Sequence, residues 1–158
     1  METVVSMLLV TFVIGSTLAT VGPVVEGSTY AERRLHAARL GDELMSEVLS
    51  QAYKDPDEDT DSIGRDSGEG SGDRTAFDDV DDYSGYTGWP AKRRDGSVAG
   101  GSEKYGQLVN VNWIDPLTLG TSGTDTGLKS VQVLIYYNNS IYFRGFAVVS
   151  EDNPRDVN

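Results

Sequence analysis

From Thr3 to Val25 the chain carries no charged side chain. Wound as a helix at about 1.5 Å per residue, an uncharged run of this length covers the roughly 30 Å hydrocarbon core of a bilayer. It therefore predicts a membrane half of an N-terminal helix, taken here as residues 1–25. Glu2 stands at its head, and an acid held inside lipid costs on the order of 2.5–3.5 kcal/mol. That acid needs a partner or an interfacial seat. A cleaved secretory signal fits less well, because the run lacks a positive n-region and outlasts the usual apolar core of about 7–15 residues.

A second pattern follows. Between Tyr30 and Tyr53 the apolar residues Leu35, Ala38, Leu44, Met45, Val48, Leu49 and Ala52 recur at helical spacing, with Glu32, Arg33, Arg39, Asp42, Glu43 and Glu47 between them. This predicts an amphipathic half over 26–53, continuous with the first, and Gly22-Pro23 is the point where such a helix would bend. His36 lies among charged neighbours and reads as a solvated helix histidine.

Residues 54–104 form an acidic variable region. Asp55, Asp57 and Asp59 alternate as the first ligands of an EF-hand loop do, but Thr60 stands where that loop needs Gly and Asp66 where it needs a bidentate Glu. Further on, Phe77-Asp78-Asp79-Val80-Asp81-Asp82-Tyr83 gathers four aspartates about one valine, and Phe77, Val80, Tyr83 and Trp89 are expected to pin the loop to the body. Asp78, Asp79, Asp81 and Asp82 have two readings: turn formers that accept backbone N–H groups, or ligands for a hard cation such as calcium. Lys92-Arg93-Arg94-Asp95-Gly96-Ser97 follows as a basic turn.

The last third alternates with the period of strands. Gln107–Trp113 places Val109, Val111 and Trp113 on one face, Leu128–Tyr137 repeats the pattern, Asn138-Asn139-Ser140 signals a hairpin, and Ile141–Ser150 returns. A sheet over 105–151 with one apolar face needs a cover, and the amphipathic half-helix is the element long enough to supply it. The expected class is α+β, a long N-terminal helix packed on a small antiparallel sheet of about three or four strands, with a short tail at 152–158.

A net charge of -12 in 158 residues leaves no basic face for phosphate contacts and argues against nucleic acid. With no cysteine there are no disulfides or thiolate sites. Phosphate-binding loops, dinucleotide fingerprints and nucleophile elbows are missing, and the single histidine has no motif-placed serine. The residues argue against an enzyme.

An uncharged helix opening on a glutamate, then an amphipathic helix, a variable loop and an antiparallel sheet, resembles the type IV pilin-like family. Met1-Glu2-Thr3-Val4-Val5-Ser6-Met7-Leu8-Leu9-Val10 is similar to the family signature, in which a leader ending in Gly precedes Phe-Thr-Leu-(Ile/Met)-Glu and an apolar run. By that match Met1 and Glu2 are the last two residues of the signature. The Phe77–Tyr83 stretch with the later Thr126-Gly127-Leu128-Lys129 is similar to minor pilins of the mannose-sensitive haemagglutinin type and to pseudopilins. The family's membrane-helix proline does not align, since Ala19 holds its place.

The resemblance implies a pilin-like fold and a minor pilin or pseudopilin, non-catalytic and membrane-anchored, that assembles into a type IV pilus or type II secretion pseudopilus. It implies other pilin subunits and an inner-membrane assembly platform as partners, and a prepilin peptidase where an upstream leader precedes Met1. The expected location is the bacterial inner membrane, single-pass, with the C-terminal body in the periplasm or on the cell surface. Glu2 would pair with a neighbouring subunit's N-terminal amine, and Thr11, Gly15 and Ala19 would form a small-residue strip for helix packing. The alternative is a bitopic surface protein whose acidic loops bind calcium or a partner without polymerising.

Overall fold

The computed structural model describes residues 2–55, 62–65 and 73–151, and of 17–24 the helical backbone alone. Its elements are a helix α1 (Glu2–Val48), a 3-10 turn (Asp81–Tyr83) and four strands, β1 (Thr87–Gly88), β2 (Tyr105–Trp113), β3 (Leu128–Tyr137) and β4 (Ser140–Ser150). The strands form one antiparallel sheet in the order β1-β2-β3-β4. The chain divides into two compact units, Met1–Leu35 and His36–Asn158.

The expected pilin-like long helix with a membrane half is not found: among the described residues no helix is long and apolar enough to cross a membrane. The physical reason lies in the two stretches whose side chains are described. Residues 2–16 are apolar but would extend only about 22 Å, against the roughly 30 Å of a hydrocarbon core. Residues 25–48 are long enough but carry Glu26, Glu32, Arg33, Arg34, Arg39, Asp42, Glu43 and Glu47.

In the second unit the helix lays Ala37, Leu40, Leu44 and Val48 into the core. These recur at three- and four-residue steps, so they share one face. The stripe shares Leu44 and Val48 with the expected one and differs at its start, where Leu35 is 59% exposed while Ala37 and Leu40 are buried. His36 is half-buried, not solvated: its ring packs on Tyr105 at 4.8 Å and Nε2 lies 3.0 Å from Ser102 Oγ.

Period-2 alternation sends Tyr105, Gln107, Val109 and Val111 of β2 and Lys129, Val131, Val133 and Ile135 of β3 to the inner face, where all are buried. Asn138 and Asn139 both take positive φ (46° and 66°), the conformation a two-residue type I′ turn requires between Tyr137 and Ser140. A register shift beside Ile135/Tyr136 makes Tyr142 the extra residue of a bulge, since Phe143 pairs with Ile135 and Ile141 with Tyr136. The strand β1 has two residues, too few to show a period, and sequence reading misses it.

The helix lies close against the sheet at Gly41. A Cβ there would sit 2.1 Å from Phe143 Cδ1, so the absence of a side chain lets the Phe143 ring lie against the helix backbone. Alanine at this position improves helix propensity by about 1 kcal/mol, but overpacking costs typically 1–3 kcal/mol. Gly41→Ala is expected to lower the unfolding free energy by about 1 kcal/mol in chemical denaturation, and Phe143→Leu in the same chain to recover it. An increase for Gly41→Ala alone would show that the ring moves freely.

Candidate functional site

The sequence points to two places, the acidic turn and the N-terminal stretch of α1. In the turn, Asp79, Asp81 and Asp82 are buried and Asp78 is exposed. Asp79 Oδ1 accepts the backbone N–H groups of Asp81 (2.6 Å) and Asp82 (3.0 Å), while Asp82 Oδ2 accepts those of Asp78 (3.0 Å) and Asp79 (3.2 Å). Each carboxylate thus closes a turn on the other's backbone, a reciprocal arrangement of the capping-box kind. Carboxylates three apart in a tight turn suit that role because their short side chains reach donors two or three residues away.

The turn is tied to the rest of the body by a cation that sequence reading overlooked. Lys129 is 0% exposed, and its Nζ lies 2.6 Å from Asp81 Oδ2, 2.5 Å from Tyr53 O and 4.0 Å from the centroid of the Tyr53 ring. Beside it Ala52, just past the helix, bridges the turn: Ala52 N donates to Asp78 O and Val80 N to Ala52 O. The signal for Lys129 was present in the alternation, since it falls on the same face as Val131, Val133 and Ile135. A lysine on a core face needs an acid within reach.

A second buried cation, Arg74, works from the other side. Its Nε and Nη2 grip Glu47 Oε1 (2.7 Å) and Oε2 (2.9 Å), Nη1 donates to Tyr86 Oη, and Nη2 also reaches Lys92 O. Tyr83 Oη donates to the same Glu47 Oε1 at 3.0 Å. Burial pushes the phenols of Tyr83 and Tyr86 upward, and for Tyr83 the nearby Glu47 carboxylate adds to the rise. Phe77, Val80 and Tyr83 are fully buried, as expected of anchors, whereas Trp89 is largely exposed and lies over Gly106. Tyr86 takes the anchoring part expected of Trp89.

Among the described residues no group of three or more His, Cys, Asp or Glu is placed to hold a metal ion. The carboxylates of Asp79, Asp81 and Asp82 are turned instead to backbone N–H groups and to Lys129. Asp57, Asp59 and Asp66 lie outside the described residues.

In the first unit Glu2 begins the helix, where a carboxylate is favoured by the dipole. Thr11 Oγ1 donates to Met7 O at 2.8 Å, and Gly15 has open space where a Cβ would stand. Leu8, Thr11, Phe12, Gly15 and Ser16 line a shallow groove; the side chain of Ala19 lies outside the described residues. The large apolar residues from Val4 to Ile14 are 53–77% exposed, on every side of the helix.

Comparison with protein-family models, with curated proteins and with solved structures finds no match to this chain.

Two outcomes follow from the turn. Lys129→Met leaves Asp81 buried without its ion pair, and breaking a buried pair in this way costs about 3–5 kcal/mol. The double change with Asp81→Asn is expected to regain most of that loss in denaturant unfolding, whereas simple additivity of the two losses would mean the pair is not coupled. Burial raises the Asp79 carboxyl from 3.8 to about 6. A folded-state value above the unfolded one means the folded chain binds the proton more tightly, so this group's contribution declines as pH rises from about 4 through about 6. Asp79→Asn keeps the Oδ1 acceptor and cannot ionise. It is expected to be more stable than the parent at pH 7, by about 3 kcal/mol at most, with the gap closing below pH 4; a gap independent of pH would contradict this.

Proposed function

We propose that this chain is a non-catalytic subunit of a type IV pilin-like filament, a minor pilin or pseudopilin, that assembles through the N-terminal stretch of α1. The observation that carries the reading is the exposure of Val4, Val5, Met7, Leu8, Leu9, Val10, Phe12, Val13 and Ile14 together. A helix that is apolar on all sides is stable when something apolar surrounds it. Neighbouring copies of the same helix supply such surroundings, and the groove at Thr11 and Gly15 admits close approach of a second backbone.

Glu2 is the polar element of this assembly. By the resemblance its carboxylate pairs with a neighbouring subunit's N-terminal amine, which removes an uncompensated charge from an apolar surrounding and sets the axial register between copies. Among the described residues of the body, the buried ion pairs hold the acidic turn, the helix end and the sheet together. The partners under this reading are other pilin-like subunits and the assembly machinery that delivers them.

The test is co-assembly of the full chain. Phe12→Lys and Glu2→Ala are each expected to reduce recovery in sedimentable filaments by at least about tenfold, equivalent to about 1.4 kcal/mol per contact. The unfolding midpoint of the 36–158 body should stay unchanged in both. Filament recovery equal to the parent's for both variants would overturn the reading.

A further inference from the structure

The geometry points to a second interface, distinct from the helix: the edge strand β4 pairs antiparallel with β4 of a second copy of this chain, about a two-fold axis at Gly145. β4 lies at the end of the sheet, with β3 on one side and no strand on the other among the described residues. Edge strands are normally guarded by lysines, prolines or inward charges. β4 reads Ser-Ile-Tyr-Phe-Arg-Gly-Phe-Ala-Val-Val-Ser, with no lysine, no proline, no acid and one charge, Arg144. Its outward positions Ile141, Phe146 and Val148 are 46%, 64% and 48% exposed.

The strand's own sequence selects a second copy of this chain. Two molecules of net charge -12 repel each other, and that repulsion is least along an acid-free strand such as β4. The strand is complementary to itself. Gly145 is the middle residue of Ser140–Ser150, so a two-fold axis there overlaps the whole strand. In that register Arg144 of each copy faces Phe146 of the other, twice over and on the same outer face, an arrangement suited to cation–π contact. Moving the axis to Arg144 would set the two guanidinium groups opposite one another, which is destabilising. The bulge at Tyr142 loosens the outer pairs, and the regular ladder is 143–147, symmetric about the axis. This inference stands apart from the filament reading, since it uses no residue of the helix.

The chain has no cysteine of its own, so single cysteines report the register directly. Full-length Arg144→Cys and Phe146→Cys chains are prepared separately, shown to fold, then oxidised mildly alone and mixed. Directly opposed residues have Cβ atoms about 4.5–5.5 Å apart and diagonal ones about 7–8 Å, so the mixture is expected to give roughly tenfold more covalent dimer than either chain alone. The mixed dimer also keeps one intact Arg144–Phe146 pair, which neither homodimer does. Equal yields in all three samples, or none, would overturn the pairing. Repeating the mixture with Phe12→Lys in both chains separates the two proposals. A cross-link that persists when filaments are lost supports the β4 interface, and one that disappears with them overturns it as an independent contact.

Discussion

The buried Lys129 ammonium joins three parts of the body. Lys129 belongs to the inner face of β3, Asp81 to the acidic turn, and the carbonyl of Tyr53 to the segment just beyond the helix. From β3 the ammonium donates to the Asp81 carboxylate and to the Tyr53 carbonyl and lies over the Tyr53 ring, and its complete burial strengthens each of these contacts. Remove the ammonium and the turn keeps its backbone ties to Ala52 and, through Gly85 and Tyr86, to β2, while Asp81 keeps its charge in a dry place. The mutual capping of Asp79 and Asp82 gives the turn its shape, and Lys129 ties that shape to β3.

Arg74 and Glu47 do corresponding work at the other end of the turn. The guanidinium fork matches the carboxylate bidentately and still has donors for the Tyr86 hydroxyl and the Lys92 carbonyl. Helix, acidic turn and basic turn are therefore connected through polar atoms inside the core, where a larger protein would use apolar bulk. A body with a thin apolar core and no disulfide gains its fixed geometry from these directional contacts.

What could be read from the sequence follows what has a period. β3, β4 and their Asn138-Asn139 turn were legible because alternation and paired left-handed residues are local signals. The helix face is legible at Leu44 and Val48 and misses at its start, where hydropathy favours Leu35 but Ala37 and Leu40 are the buried residues. Hydropathy does not say which side of a helix a sheet will approach, and Gly41 was the better marker because close approach requires it. The uncharged run suggested a membrane half, but lack of charge is a weaker condition than sustained apolarity, and Ser6, Thr11, Gly15 and Ser16 dilute the described stretch. In the acidic turn the aspartates were visible and their partner was not, because a lysine in a strand is ordinarily assigned to solvent.

Burial of both cation pairs also determines how the body responds to ionic strength. Screening acts through solvent, with a Debye length of about 10 Å at 0.1 M, and it reaches Lys129–Asp81 and Arg74–Glu47 poorly because little water touches them. The diffuse repulsion of a chain with net charge -12 is spread over its surface, where screening is effective. Added salt thus screens the surface repulsion, and with it the exposed pairs of Lys54 with Asp125 and Glu151, far more than it screens the two buried pairs.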